Sequence, residues 1–137
     1  MRISTKSFYP EIQEYVLQGQ PLRKVKGSLH SCHNVDLEIR TSSPKSSKYF
    51  FMINLESKVH QYLFVCAKES IVVCLDPNFI RSLPLSVAKS GKYHVFNIIA
   101  EHPFNGNAYL YYKKGKSEIC SVDVSEWVVP LYKKIVG

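Results

Sequence analysis

The chain has 137 residues, of which 45% are hydrophobic, 21% charged and 12% aromatic. This length and composition predict a single folded domain over residues 1–137, and they exclude a disordered tail, a collagen-like chain and a disulfide mini-protein. Lys and Arg number 18 and Asp and Glu number 11, which gives a net charge of +7. A surplus of that size favours a polyanionic partner or an anionic surface.

The apolar runs, the first residues and the cysteines together indicate where the protein resides. No apolar run approaches the roughly 20 residues of a membrane helix, and the first residues lack the apolar core of a signal peptide. Cys66 and Cys74 lie within apolar runs, where a reduced cysteine behaves as a small hydrophobe. We therefore expect a cytoplasmic, intracellular protein with free thiols and no membrane partner.

The first predicted element is a short amphipathic helix over residues 9–18. Pro10 has the place of a first helical residue, apolar residues follow at helical spacing, and Gly19 supplies a stop. The next stretch, residues 22–31, is basic, and Gly27 weakens any regular element there. The sequence therefore predicts neither a helix nor a strand for it.

Alternating and apolar runs then predict strands. Residues 35–41 alternate apolar and charged side chains, and residues 49–56 are rich in aromatics. We expect these two strands to pair as a β-hairpin with a long polar turn. Residues 61–67 and 71–75 predict a second hairpin, closed by a turn at 68–70.

The second half begins with a helix start, since Asp76 can cap a helix that has Pro77 at its first position, and Pro84 limits that helix. The remaining predicted elements are a strand over 93–99, a hairpin of 109–112 with 119–124, and a short terminal element over 125–136. The order predicts an α/β or α+β fold: a central mixed β-sheet containing an antiparallel meander, flanked by a few short helices.

A carboxylate and a lysine stand close together where the second predicted strand ends. Glu56 and Lys58 are two residues apart, so both project from one face of the strand. If 35–41 and 49–56 pair antiparallel, Asp36 lies beside them. Two neighbouring carboxylates can hold Mg²⁺ (or Mn²⁺), and a lysine near the metal can orient or deprotonate an attacking water. These groups suffice to hydrolyse a phosphodiester.

The arrangement resembles the PD-(D/E)xK, or restriction-endonuclease-like, nuclease superfamily. Its core runs helix, three-strand meander, helix, strand, with an Asp on one meander strand and Glu-x-Lys on the next. The resemblance implies a Mg²⁺-dependent DNA endonuclease in which Asp36 and Glu56 bind metal, Lys58 handles the water, and Glu14, or less favourably Glu11, adds a ligand. It covers residues 9–99 and leaves a C-terminal hairpin and tail, 100–137, as an addition.

A second placement of the same pattern remains open. Glu38 and Arg40 form a Glu-x-Arg variant on the first strand, followed by Thr and Ser as is common in the superfamily. Arginine does not deprotonate, so Arg40 would act only as an electrostatic group. Because so small a chain cannot easily surround a duplex, the nuclease hypothesis with Asp36, Glu56 and Lys58 suggests a homodimer that cuts both strands.

Three potential metal ligands also occur together, at His30, Cys32 and His33. A structural zinc site needs four ligands, usually as two separated pairs, and the second pair is missing here. An incidental His- and Cys-containing loop is the simpler interpretation.

Basic residues gather in predicted turns, and they support two further hypotheses. One is a non-catalytic module that binds nucleic acid through phosphate contacts, and the other is a protein–protein adaptor that meets an acidic partner. Tyr109, Tyr111 and Tyr112 can stack on unpaired bases, although alternating tyrosines more often pack across a hairpin. The expected nucleic-acid contacts are Arg23, Lys24, Lys26, Lys113, Lys114 and Lys116.

Overall fold

A computed structural model describes residues 5–42, 48–54, 56, 58–88, 91–100, 105–114 and 118–131. Strands dominate the described residues, with a few short helices between them. In chain order the elements are a 3-10 turn (Thr5–Phe8), α1 (Tyr9–Tyr15), β1 (Arg23–Lys26), β2 (Leu29–Cys32), β3 (Val35–Ser42), β4 (Tyr49–Ile53), β5 (Gln61–Cys66), β6 (Ile71–Leu75), α2 (Pro77–Ser82), β7 (Ser86–Val87), β8 (His94–Ala100), β9 (Ala108–Lys114), β10 (Glu118–Asp123), a second 3-10 turn (Ser125–Trp127) and β11 (Val128–Pro130).

The first sheet is mixed and has the strand order β1-β2-β3-β5-β6-β11. Strands β3 and β5 run parallel, and the other neighbours run antiparallel. The chain leaves this sheet after β3, forms β4 elsewhere, and returns as β5. A parallel pair needs such a crossover because the chain must travel back to its starting edge.

Strands β1, β2 and β3 form an antiparallel meander with two tight turns. Gly27 begins the first turn at a φ of 58°, where a residue without Cβ carries no steric penalty. His33 and Asn34 form the second turn with φ values of 46° and 64°. Two successive left-handed residues match the twist of paired strands and so join them closely.

The second sheet has the order β10-β9-β8-β4, all antiparallel. The short strand β7 pairs with the first part of β8, beside the point where β9 turns away. Ser86 Oγ in β7 donates a hydrogen bond to the carbonyl oxygen of Lys113 at 2.7 Å, which ties β7 to the end of β9.

The elements stack in three layers, with the first sheet in the middle. On one face α1 covers an apolar cluster that includes Ile12, Leu37 and Leu63. On the other face the second sheet packs against a larger cluster centred on aromatic side chains. Phe64 lies 4.9 Å from Phe51 and 5.0 Å from Phe96 between ring centroids.

Several predicted elements are confirmed. The hairpins β5–β6 and β9–β10 form as expected, and Asp76 Oδ1 accepts a hydrogen bond from Asn78 N at 2.7 Å at the start of α2. The helix predicted over 9–18 is present, but it ends at Tyr15. The mixed α/β class with a mixed sheet is confirmed.

The predicted hairpin of 35–41 with 49–56 is wrong. Strand β3 pairs with β2 and β5 in the first sheet, whereas β4 pairs with β8 in the second. Residues 22–31, for which the sequence predicted no regular element, form β1 and β2. Consequently the antiparallel meander lies at 23–42, earlier in the chain than expected.

Two structural observations concern the predictions about membranes and cysteines. Among the described residues, no helix has the length and apolar character that crossing a bilayer requires. All four cysteines are free thiols, and Cys32 and Cys66 are buried. Burial raises the pKa of the Cys74 thiol to about 12, so this side chain stays protonated at neutral pH.

Candidate functional site

The predicted carboxylates occupy different parts of the fold. Asp36 lies on β3, on the face of the first sheet that also carries Glu38. Glu56 is exposed in the connection between β4 and β5. Glu14 is exposed on α1, which covers the opposite face of the first sheet. The middle sheet therefore separates Glu14 from Asp36.

The connection that carries Lys58 returns beside Asp36. The backbone N–H of Asp36 donates to His60 Nδ1 at 2.9 Å, and the N–H of His60 donates to the carbonyl oxygen of Asp36 at 2.8 Å. These bonds hold the start of β5 against the start of β3. Lys58 is exposed two residues before His60 in the same connection.

The described residues do not bring Asp36, Glu56 and Glu14 together as one ligand set. Among them, no three His, Cys, Asp or Glu side chains lie close enough together to hold a metal ion. Relocating the pattern to the observed meander gives Glu38 and Arg40 on its last strand, but the adjoining strand β2 contains no carboxylate.

The Glu38 carboxylate already interacts with two other side chains of the protein. It is buried, its Oε1 accepts a hydrogen bond from Ser28 Oγ at 3.2 Å, and its Oε2 lies 3.6 Å from Arg40 Nε. Neither Oε2 nor Nε has a hydrogen-bond partner in the described part of the chain. The pair thus attracts through charge, and it fixes Arg40 at the edge of β3 beside the turn at Gly27.

The His- and Cys-containing segment is structural. His30 is buried, and its Nδ1 bonds the carbonyl oxygen of Ser28 at 2.8 Å. A carbonyl only accepts, so Nδ1 carries the proton, and Nε2 of the neutral ring accepts from the Tyr9 hydroxyl at 2.6 Å. Cys32 is buried under α1, and His33 is exposed in the turn. His30 and Cys32 therefore serve packing.

A cationic groove lies between the first 3-10 turn and the β1–β2 hairpin. Its volume is about 640 Å³, within the range of ligand sites. Three of its lining residues are cations, and five others offer hydroxyl or imidazole groups. The lining residues are Thr5, Lys6, Tyr9, Lys24, Gly27, Ser28, His30, Ile39, Arg40 and Thr41.

Two hydrogen bonds fix the walls of this groove. Thr5 Oγ1 and Thr41 Oγ1 share a hydrogen bond of 2.7 Å, which joins the 3-10 turn to β3. The bond between Tyr9 and His30 joins α1 to β2, and the two rings meet edge to face at 5.4 Å. The groove is therefore preformed by contacts between distant segments.

Cations line the groove, and the Glu38 carboxylate beside it pairs with one of them, Arg40. The cations are Lys6, Lys24 and Arg40, and the described lining residues include no Asp or Glu. Burial lowers the pKa of His30; the bond from its ring to the Ser28 carbonyl acts in the opposite direction, and Lys24 lowers the pKa further. The imidazole is thus neutral at pH 7, and the positive charge comes from the three longer side chains.

The predicted nucleic-acid contacts divide between two regions. All four residues of β1 are exposed, and Lys24 enters the groove while Arg23 pairs with Ser31 on the other face. Lys113 and Lys114 are exposed at the end of β9, in the second sheet. Lys116 lies outside the described residues.

Sequence reasoning missed most of the groove. Lys6, Tyr9, Thr41 and Thr5 come from segments that contact β1 and β2 only through the tertiary fold. A usable signal was present at Gly27, since a glycine between short basic and apolar runs is typical of a hairpin turn.

Comparisons of the chain with protein-family models, with curated proteins and with solved structures found no match.

Proposed function

We propose that the protein is a non-catalytic module that binds nucleic acid through its phosphates. The supporting observation is the preformed groove, in which three cations converge and no described lining residue is acidic. Phosphate oxygens accept hydrogen bonds and are attracted by Lys and Arg, so this lining matches a phosphate chemically.

Each lining group has a distinct part in this proposal. Lys24 extends from an exposed strand and contributes a mobile point charge. Arg40 is held by Glu38 and presents a planar set of donors in a fixed direction. The hydroxyls of Thr5, Ser28 and Thr41 add neutral donors. Such contacts position a nucleic acid and carry no sequence information.

The surrounding surface favours an extended ligand. The net charge of the chain is +7, and the neighbouring strand β1 is exposed along its whole length, with three basic residues out of four. A polymer with regularly spaced phosphates can contact both the groove and this strand. A small anion would use the groove alone, so the exposed strand supports a polyanion as the ligand.

The Mg²⁺-dependent endonuclease is a separate hypothesis. In it Asp36 and Glu56 would bind the metal, and Lys58 would orient or deprotonate the attacking water. Helix α1 followed by the β1–β3 meander is the observation that favours it, although β4 rather than a helix connects the meander to the parallel strand β5. Among the described residues no three potential ligands lie together, so a Mg²⁺ ion there would be held by at most two of these side chains and by water. The adaptor hypothesis predicts no affinity for nucleic acid at low salt.

The test measures binding of a labelled DNA duplex by fluorescence anisotropy as a function of salt. Wild-type protein should bind, and the logarithm of its affinity should fall linearly with the logarithm of salt concentration. Lys24→Gln should weaken binding and reduce that slope by about 1. Lys68→Gln is the matched control, because Lys68 is an exposed lysine in the β5–β6 turn.

Three outcomes decide between the hypotheses. Equal effects of the two lysine variants would overturn the groove as the binding site. Absence of binding at low salt would favour the adaptor. Cleavage in Mg²⁺ or Mn²⁺ that EDTA and Glu56→Ala each abolish would establish the nuclease and overturn the non-catalytic proposal.

A further inference from the structure

The outer face of the second sheet carries aromatic side chains that no other described element covers. Phe50, Tyr109 and Tyr111 alternate with buried neighbours along β4 and β9, so all three project outward. Phe50 is 52% exposed, and Ile119 on β10 is 66% exposed. We call this surface, formed by residues 50, 97, 99, 109, 111 and 119, the open face.

The strand register places these groups in adjacent rows. Phe50 pairs with Asn97, Asn97 pairs with Tyr111, and Tyr111 pairs with Ser121 across four strands. The neighbouring row joins Ile99 to Tyr109. Since strands are about 4.8 Å apart, Phe50 and Tyr111 are separated by about 10 Å, with an amide side chain between them.

The tyrosines are arranged as a pair along one strand. Tyr109 and Tyr111 have ring centroids 6.5 Å apart and an interplanar angle of 66°. Both are half-buried, so each ring rests against the sheet and leaves one side accessible. A ring held in this way offers an apolar surface with little side-chain entropy left to lose on binding.

Cations flank the aromatic rows. A cavity of about 250 Å³ on this face is lined by Lys48 and Lys113 together with Asn97 and Tyr111. Asp123 shares the face, but its Oδ1 already accepts a hydrogen bond from Ser125 N at 2.9 Å. Apolar rings with lysines beside them suit a ligand that has flat rings and negative charges.

We infer that the open face binds unpaired bases of a single-stranded nucleic acid. Phe50 and Tyr111 stack on bases, Asn97 is placed to hydrogen-bond a base edge, and Lys48 and Lys113 contact phosphates. Base stacking on aromatic side chains together with a basic border is how proteins hold single strands without reading their sequence. A paired duplex keeps its bases inside the stack and has no ring face to offer.

This site is distinct from the groove. The groove lies between the first 3-10 turn and the β1–β2 hairpin of the first sheet, whereas the open face is the far side of the second sheet. The inference takes the nature of its ligand from the proposed function, but none of its residues line the groove. The two proposals can therefore fail independently.

The experiment compares binding of a labelled single-stranded oligothymidylate with binding of a labelled duplex. Phe50→Ala and Tyr111→Ala should each weaken single-strand binding about fivefold or more and leave duplex binding unchanged. Tyr111→Phe keeps the ring and should bind as the wild type does. Val87→Ala is the matched control, because Val87 is 53% exposed and pairs with His94 away from the open face.

Each result has a defined meaning. Circular dichroism and thermal unfolding verify that every variant is folded. Single-strand binding that withstands both alanine substitutions would overturn the inference, whatever Lys24→Gln does to the duplex. Concentration-dependent dimerisation that Phe50→Ala abolishes, without any change in oligonucleotide binding, would assign the face to a second copy of the chain and also overturn it.

Discussion

The first sheet is covered on both faces and the second on one, and the burial pattern along their strands differs accordingly. Strand β5 is in the middle layer, and five of its six residues are fully buried. Strand β9 is in the outer layer, and buried residues alternate with half-buried ones along its first half. A sheet covered on both faces needs continuous apolar strands, whereas a sheet covered on one face needs alternation. The burial pattern along these two strands therefore matches the layer that each one joins.

The largest expected effect is a loss of stability when a ring between the two sheets is removed, compared with removal of a ring on the open face. Phe64→Ala removes a fully buried ring that contacts Phe51 and Phe96, so it should cost about 3–5 kcal/mol of stability. Tyr111→Ala removes a ring from the open face and should cost about 1 kcal/mol or less, the range of a cross-strand pair. Urea unfolding of both variants measures the two values. Equal losses would contradict the difference between the layers.

An intermediate loss of stability is expected at Glu38, a buried carboxylate in the sheet that is covered on both faces. Glu38→Ala leaves Arg40 without its ion pair and Ser28 without its acceptor, and should cost about 1–3 kcal/mol. Glu38→Gln keeps an acceptor for Ser28 and should cost less than Glu38→Ala. Both values come from the same urea titration. A wild-type stability for Glu38→Ala would show that the buried carboxylate contributes nothing net.

The smallest expected effect is a pH dependence of stability at His30, which is also buried. Burial lowers its pKa in the folded protein, although the bond to the Ser28 carbonyl partly offsets this. As the pH falls below about 6.5, the unfolded ring takes up a proton before the folded ring does. The unfolded state then binds more protons, so stability is complete above that pH and declines below it.

Unfolding measured from neutral to mildly acidic pH tests this dependence. The difference between wild type and His30→Gln isolates the contribution of this ring from that of the other histidines. His30→Gln should flatten part of the decline. An identical pH profile in both proteins would show that the folded ring titrates normally.

Local pattern was enough to predict elements whose partners lie next to them in sequence. The β5–β6 hairpin and the capped start of α2 both depend on a few consecutive residues, and both are confirmed. The pairing of β3 with β4 was wrong because an apolar alternation identifies a strand but not its neighbour. Strand β3 carries buried residues on both faces, Leu37 on one and Glu38 on the other, and so belongs inside a covered sheet.

The candidate sites were less predictable for a related reason. Strand β1 is exposed at every residue, so it has no apolar face from which periodicity can identify it. The groove combines Thr5, Lys24 and Thr41, which only the folded chain brings together. The tyrosines of the open face were visible in the sequence. Their exposure was not, because it depends on the absence of a covering layer.

The route of the chain between the sheets has a consequence for how the protein folds. Strand β4 of the second sheet lies between β3 and β5 in sequence, and β11 closes the first sheet only after the second is complete. Neither sheet can be obtained by truncating the chain, because each is interrupted by strands of the other. The pairings β3–β5, β4–β8 and β6–β11 join segments far apart in sequence, and we expect them to make folding slower than that of a chain built from hairpins alone. A fragment that ends before β11 would leave the edge of β6 without its partner.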